Sequence, residues 1–146
     1  MQVVTQTHTI AQLQQAYNVV HPGYTDSYVH LVVETCANDG FFITEKTWQS
    51  IASGQLFLIW GNANSIAYLR DSGVDVFDDI INHSYDSIEN WQDRLHMIHE
   101  QLKNLTTQDL AQLHRATSHR RLSNRQKFLS GEFDQQYLKT ITKCIN

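Results

Sequence analysis

The chain has 146 residues, a formal net charge of −4 and 18% charged residues. This length fits one domain, because domains usually span ~100 to 200 residues, and such a domain buries a sizeable core. The charge excludes an overall electrostatic attraction for nucleic acid, and no apolar stretch approaches the ~20 residues that a membrane span needs.

The N-terminal part, residues 1–27, is predicted to be a helix followed by a loop. Residues 1–20 are rich in Gln and Thr, and their apolar residues recur at helical spacing: Ile10, Leu13, Ala16 and Tyr17. A strand over residues 2–5 can precede this helix. Residues 21–27 contain the only proline and favour a turn-rich loop. The beginning of the chain does not resemble a signal peptide, so we expect a cytoplasmic protein.

Residues 28–61 predict a βαβ unit, in which two buried strands flank a short helix. The two apolar runs, one ending at Val33 and the other at Trp60, are nearly continuous, as is typical of parallel strands covered on both faces. Thr44 has the side chain of a helix N-cap, and Gly54 stands where a helix needs a left-handed residue at its C-terminus. We therefore expect a short helix between these two residues.

The start of this helix has the features of an anion-binding site. Its first backbone N–H groups, which belong to Glu45, Lys46 and Thr47, point outward at the positive end of the helix dipole. Glu34 ends the first strand, and ligands of open parallel sheets bind beyond the carboxyl ends of the strands, so Glu34 should face the same space. A carboxylate can bind the hydroxyl groups of a sugar, and a nearby cation can bind a diphosphate. Together they predict a binding site for a sugar nucleotide. In the alternative interpretation, Lys46 and Glu34 are solvated charges.

The order of these residues resembles the donor-binding region of alpha-1,3-fucosyltransferases and related GT-B glycosyltransferases. In that family a strand ending in Glu precedes a Thr-Glu-Lys helix start, a Gly turn and an apolar strand ending in Gly. Here these features are Glu34, residues 44–46, Gly54 and Gly61. The resemblance lies within residues 33–61 of the chain.

The resemblance implies the donor-binding half of a GT-B enzyme, without a metal or cofactor. It implies that Lys46 contacts the phosphates of a nucleotide-activated sugar and that Glu34 and Glu45 contact its hydroxyl groups. The expected donor rim is completed by Thr44, Thr47, Gly61 and Asn62. The chain has Thr35-Cys36 where the family has Asn-Ser, and Leu56-Phe57 where the family has Pro-Val. These departures leave the sugar and the base open.

A complete GT-B enzyme has a second domain that supplies the acceptor site. Transfer of the sugar to a hydroxyl acceptor would therefore need a partner subunit or a dimer mate, and no residue is assigned a catalytic role.

Residues 62–82 predict a second helix and a third strand. The polar residues 62–65 offer caps for a helix that ends at Gly73, and apolar residues alternate with acids over residues 74–77. Right-handed crossovers would place three strands in one parallel sheet. Residues 28–82 would then form a small Rossmann-like βαβαβ core of an α/β fold, with helices on both faces.

Residues 84–146 predict a helical C-terminal region. The strongest helical pattern begins at Ser84 or Asp86 and runs through Leu105, with apolar residues three and four apart. A second short helix is expected to begin at Thr107. A third is expected to place an apolar face on the sheet: Phe133, Tyr137, Ile141 and Ile145.

Residues 115–127 contain five basic residues and no acid. Arg120, Arg121 and Arg125 can bind the phosphates of a donor, a nucleic acid or a lipid, because the guanidinium fork matches phosphate oxygens. The commoner explanation of such a segment is a solvated helix face. Nucleic-acid binding is disfavoured because no aromatic residue interrupts the basic run.

The remaining polar clusters do not predict a metal site or a disulfide. His96 and His99 lie one helical turn apart beside Glu100, but a third convincing ligand is lacking. Cys36 and Cys144 are expected to be buried thiols. Three loop acids are expected to be solvated: Asp75, Asp78 and Asp79.

The sequence therefore favours a glycosyltransferase-like protein that binds a nucleotide-activated sugar, as a homo-oligomer or with a partner subunit. Two alternatives are a non-catalytic module for a nucleotide-like molecule, and a structural or interaction protein that has kept the fold and lost the site.

Overall fold

In the computed structural model of the protein, residues 22–35 and 42–133 are described. The elements in chain order are α1 (Pro22–Thr25), β1 (Val29–Val33), α2 (Glu45–Ala52), β2 (Leu56–Trp60), α3 (Ser65–Asp71), a 3₁₀ turn (Ser84–Ser87), α4 (Trp91–Thr106), α5 (Leu110–Ala116) and α6 (Ser118–Leu129).

Several sequence predictions fall outside the described residues. They are the helix over residues 1–20, the strand over 2–5, Cys36, Cys144, Tyr137, Ile141 and Ile145. In the described part of the chain, no helix has both the length and the apolar character that a membrane crossing requires.

The predicted βαβ unit is confirmed, and the domain is α/β. β1 and β2 are parallel, with Val29 opposite Leu56 and Val33 opposite Trp60. Thr44 is the N-cap of α2, since its side chain accepts a hydrogen bond from the backbone N–H of Lys46. This arrangement brings the carboxyl ends of both strands and the start of α2 to one side of the sheet.

Different helices cover the two faces of the sheet. The ring of His30 in β1 lies 3.1 Å from the hydroxyl of Ser50 in α2. The next residue, Leu31, points to the opposite face, where it lines a groove together with residues of α4. α6 packs outside α2, where the rings of Trp48 and Phe128 stack with their centroids 5.7 Å apart.

The third strand predicted over residues 74–77 is wrong. These residues are irregular, and the sheet in the described part of the chain has two strands. The side chain of Asn124 in α6 takes the place of a neighbouring strand: it accepts from the N–H of Asp75 at 2.9 Å and donates to its carbonyl at 2.7 Å. Phe77 has φ of 64°, which no strand contains. The pattern of apolar residues and acids that predicted a strand here reflects the burial of three side chains: Val74, Val76 and Phe77.

The predicted start of the long helix at Ser84 or Asp86 is also wrong. α4 begins at Trp91, because the side chain of Asn90 accepts hydrogen bonds from the first free backbone N–H groups of the helix. The carboxylate of Asp86 instead caps α3: it accepts from the N–H groups of Ile66 and Ala67. α5 similarly begins after its own N-cap, Asp109, rather than at Thr107.

Candidate functional site

The carboxyl ends of the two strands and the start of α2 form a polar edge, here called the strand-end rim. It consists of Glu34 and Thr35 after β1, Phe42, residues 44–47, and Gly61 and Asn62 after β2. The structure thus brings the predicted donor residues Glu34, Thr44, Glu45, Lys46, Thr47, Gly61 and Asn62 into one region.

Glu34 is buried and hydrogen-bonded by the first turn of α2. One carboxylate oxygen accepts from the backbone N–H of Thr44 at 3.0 Å and from the hydroxyl of Thr47 at 2.6 Å, and the other accepts from the hydroxyl of Thr44. Only 5% of Glu34 is exposed to solvent. Its negative charge therefore lies at the positive end of the α2 dipole.

This arrangement changes what the start of α2 can bind. The carboxylate of Glu34 occupies the place where an external anion would gain most from the dipole, and it also takes the N–H of Thr44. The positive end of α2 therefore already has a negative charge of the protein itself beside it. The sequence predicts the proximity of these residues, but it does not predict that Glu34 binds α2 itself. The one sequence signal for this contact is Thr47, whose hydroxyl lies on the same helical face as the apolar Ile51.

Gly61 is required by the same carboxylate. A Cβ atom on Gly61 would lie 3.1 Å from Cγ and 3.2 Å from Cβ of Glu34, closer than most van der Waals contacts. The glycine at the end of β2 therefore gives room for the Glu34 side chain to reach α2.

Lys46 carries the positive charge of the rim. Its ammonium donates a 2.9 Å hydrogen bond to the hydroxyl of Thr35, directly after β1. The side chain is half-buried, and the neighbouring Glu45 is exposed. The amine and the strand-end acid therefore lie on the same side of the molecule, as the sequence predicts.

Asn62 and Phe42 form the far side of the rim. The side-chain oxygen of Asn62 accepts from the backbone N–H of Phe42 at 3.0 Å, which fixes the segment that leads into α2. The ring of Phe42 is 53% exposed. An exposed aromatic face can stack on a planar base or on a sugar ring. The predicted donor residues do not include Phe42, although it stands two residues before Thr44.

The three arginines proposed as phosphate ligands are not brought to this rim. Arg121 is buried and donates to the carbonyl of Gly54, beyond the C-terminus of α2. Because an α-helix rises ~1.5 Å per residue, about 12 Å of helix separates that end from the rim. Burial lowers the pKa of Arg121, and the exposed Arg125 lies on the next turn of the same helix.

Arg120 belongs to an ion-pair cluster that fixes the irregular segment 74–77. Its guanidinium donates to Asp75 at 2.6 Å and to Asp79 at 2.8 Å, and it lies over the ring of Phe77. These hydrogen bonds raise the pKa of Arg120 and lower the pKa of both acids. The third loop acid, Asp78, binds Arg70. The acids expected to be solvated are thus ion-paired.

A buried histidine and a buried tyrosine lie behind β2. The hydroxyl of Tyr85 accepts from the N–H of Ile59 and lies 3.0 Å from Nδ1 of His83, whose Nε2 donates to the carbonyl of Val76 at 2.7 Å. Burial lowers the pKa of His83 and raises the pKa of Tyr85. Both groups are neutral and structural.

Among residues 22–35 and 42–133, no group of three or more His, Cys, Asp or Glu side chains is arranged to hold a metal ion. His99 lies 3.8 Å from Glu100, and His96 lines the groove beside α4.

Comparison of the chain with known protein families, with curated proteins and with solved structures gives no match. The resemblance to the fucosyltransferases therefore rests on the residues of the βαβ unit alone.

Proposed function

We propose that this chain binds a nucleotide-activated sugar at the strand-end rim, as the donor-binding half of a GT-B-type glycosyltransferase with a Rossmann-like sheet. The observation that carries the proposal is the position of Lys46. Its ammonium donates a hydrogen bond to the hydroxyl of Thr35, at the carboxyl ends of two parallel strands, where ligands of such sheets bind. An ammonium at this point suits the diphosphate of a nucleotide.

The rim residues have different roles in this proposal. Lys46 neutralises the diphosphate, and it would stabilise the departing nucleoside diphosphate electrostatically if the sugar is transferred. The exposed ring of Phe42 stacks on the base or the sugar. Glu45 is exposed and accepts from hydroxyl groups. Glu34 is a positioning residue, because its carboxylate holds the first turn of α2.

Transfer of the sugar to a hydroxyl acceptor requires an acceptor site and a general base. In this proposal a partner subunit or a dimer mate supplies both. A chain that acts alone is then a binding module that retains the nucleotide sugar without converting it.

Thermal unfolding with a panel of nucleoside diphosphates tests the binding proposal. A ligand at about 100 times its dissociation constant stabilises the folded state by ~2.7 kcal/mol, which raises Tm by roughly 5–10 °C for a domain of this size. We expect at least one diphosphate to give such a shift, and Lys46→Ala to abolish it. Lys103→Ala is the matched control, since Lys103 is an exposed lysine paired with Glu100 on α4. A panel without any shift, or an equal shift in Lys46→Ala, contradicts the proposal.

Incubation with a nucleotide sugar and hydroxyl acceptors then separates the enzyme from the binding module. Release of the nucleoside diphosphate together with a glycosylated acceptor indicates transfer. Quantitative recovery of the intact nucleotide sugar indicates a module that only binds.

A further inference from the structure

The outer edge of β1 has the geometry of an unfilled position in the sheet. The N–H of Glu34 donates to the carbonyl of Trp60 at 2.9 Å, so Glu34 directs its backbone toward β2. Backbone groups alternate along a strand, and therefore those of Val29, Leu31 and Val33 point away from β2. Within residues 22–35 and 42–133, no strand pairs with this edge.

The sequence of β1 lacks the features by which edge strands usually avoid pairing. Proteins protect edges with lysine, proline, bulges or very short strands, whereas β1 is the five-residue sequence Val-His-Leu-Val-Val. Leu31 is 39% exposed and Val33 is 45% exposed. These properties favour the addition of a strand.

Two grooves of different chemistry flank this edge, and Leu31 lines both. The groove on the α2 side has a volume of about 520 Å³ and includes the polar groups of Ser27, His30 and Lys46. Its described lining residues include a cation and no acid. The groove on the α4 side has a volume of about 500 Å³, and its lining is mainly apolar: Trp91, Leu95, Ile98 and Leu102.

We propose that β1 binds an extended segment of a partner polypeptide, which adds a strand to the sheet. Side chains of a strand point alternately to its two faces, so successive residues of the partner enter the two grooves in turn. Apolar side chains fill the α4 groove, and acidic side chains lie in the α2 groove near Lys46. The partner segment therefore alternates apolar and acidic residues over about five positions.

Charge complementarity selects this partner over a second copy of the chain. In a pair of identical β1 edges, every second side chain would be His30 or Val32, and neither brings an acid to Lys46. The strand proposal does not depend on the proposed nucleotide site, although Lys46 contributes to both.

Peptide binding by the full chain tests this inference. The probe is a fluorescein-labelled nine-residue peptide in which valine and glutamate alternate, and the control peptide has lysine in place of glutamate. We expect anisotropy titrations to show at least tenfold tighter binding of the glutamate peptide. Equal affinities would overturn the proposal.

N-methylation of the probe tests the backbone pairing directly. In a strand, alternate N–H groups face the neighbouring strand, so methyl groups on one set of alternating residues remove the ladder hydrogen bonds and methyl groups on the other set do not. We expect one methylated peptide to lose binding at least tenfold and the other to keep it. Equal binding by both peptides would show that no ladder forms.

Variants of Val33 test the same contact from the protein side. Val33→Pro removes an N–H that points away from β2, which edge strands tolerate, whereas Val33→Ala keeps this donor. We expect a tenfold or greater loss for Val33→Pro relative to Val33→Ala, with equal far-UV circular dichroism. Leu31→Lys provides a second disruption at an exposed side chain, in case the proline unfolds the protein. Unchanged peptide affinity in folded Val33→Pro and Leu31→Lys would overturn the proposal.

Two further measurements test for other occupants of the edge, namely a second copy of the chain and another segment of the same chain. A dimer in sedimentation equilibrium that Val33→Pro dissociates would assign the edge to a second copy. Slow hydrogen exchange at the Leu31 and Val33 amides of the monomer would assign it to another segment of the same chain. Either result overturns the partner proposal. Val33→Pro should retain the nucleotide-induced Tm shift, so the two proposals fail independently.

Discussion

Replacement of Glu34 tests whether the buried carboxylate stabilises the first turn of α2. In Glu34→Ala the three hydrogen bonds from Thr44 and Thr47 are lost, and both hydroxyl groups remain buried. In Glu34→Gln the amide oxygen can still accept from two of the three donors, but the negative charge at the positive helix end is gone. The two variants therefore separate the loss of shape and hydrogen bonds from the loss of charge.

The structure sets the size of both effects. A buried polar group that loses its partner costs ~1–3 kcal/mol, so Glu34→Ala should destabilise the protein by roughly 3–5 kcal/mol. Loss of the favourable charge–dipole interaction costs ~0.3–1 kcal/mol, and weaker hydrogen bonds bring the cost of Glu34→Gln to roughly 1–2 kcal/mol. At ~2–4 °C per kcal/mol, Tm falls by roughly 6–20 °C for alanine and by roughly 2–8 °C for glutamine.

Thermal unfolding without ligand is the assay, followed by circular dichroism at 222 nm. The expected order of Tm is parent, then Glu34→Gln, then Glu34→Ala. If Glu34 served only to contact a ligand, both variants would unfold at the parent temperature in the absence of ligand. An alanine variant within about 1 °C of the parent would therefore refute the capping argument.

Three further predictions concern the surroundings of the site. Gly61→Ala pushes a methyl group against Glu34 and should cost about 1–3 kcal/mol in urea unfolding. Arg120→Ala breaks a partly exposed ion-pair cluster and should lower stability by roughly 1 kcal/mol after screening, without changing any nucleotide-induced Tm shift. Stability should fall on acidification below about pH 6.5, because burial lowers the folded-state pKa of His83 from 6.5 and unfolding then takes up a proton. The slope contributed by His83 is at most ~1.4 kcal/mol per pH unit, and it ends below the lowered pKa.

Matched variants control these predictions. Arg125→Ala changes an exposed arginine on the same helix and should leave Tm unchanged. His83→Gln should reduce the pH dependence of Tm between pH 7.5 and 5. Burial also lowers the pKa of His30 and His114, so some acid sensitivity persists in His83→Gln. A pH dependence equal in the parent and His83→Gln would contradict the assignment.

The βαβ unit is predictable from the sequence because its determinants are local. The apolar runs of β1 and β2, the N-cap Thr44 and the left-handed Gly54 each depend on a few neighbouring residues. The third strand is not predictable in this way. Segment 74–77 has the burial pattern of a strand, but the backbone of Asp75 is hydrogen-bonded by the side chain of Asn124, 49 residues away, rather than by a neighbouring strand.

The strand-end rim is predicted in position but not in detail, for the same reason. Residues that follow parallel strands meet at one edge, so the proximity of Glu34 and Lys46 follows from the βαβ pattern. The capping roles of Glu34 and Asp86 do not follow, because each carboxylate acts on a helix start that is distant in the chain. Arg120 and Arg121 similarly bind residues of other parts of the fold. The sequence shows only a run of basic residues around them, and such a run is also typical of phosphate ligands.

The hydrogen bond from Arg121 to Gly54 joins residues 67 positions apart in the chain. Contacts of such separation form slowly, because a long loop must close before they contribute. During synthesis, the sheet and α2 leave the ribosome well before α6 can reach them. We expect the nascent chain to stay susceptible to proteolysis until α6 emerges, and to acquire resistance in a single late step.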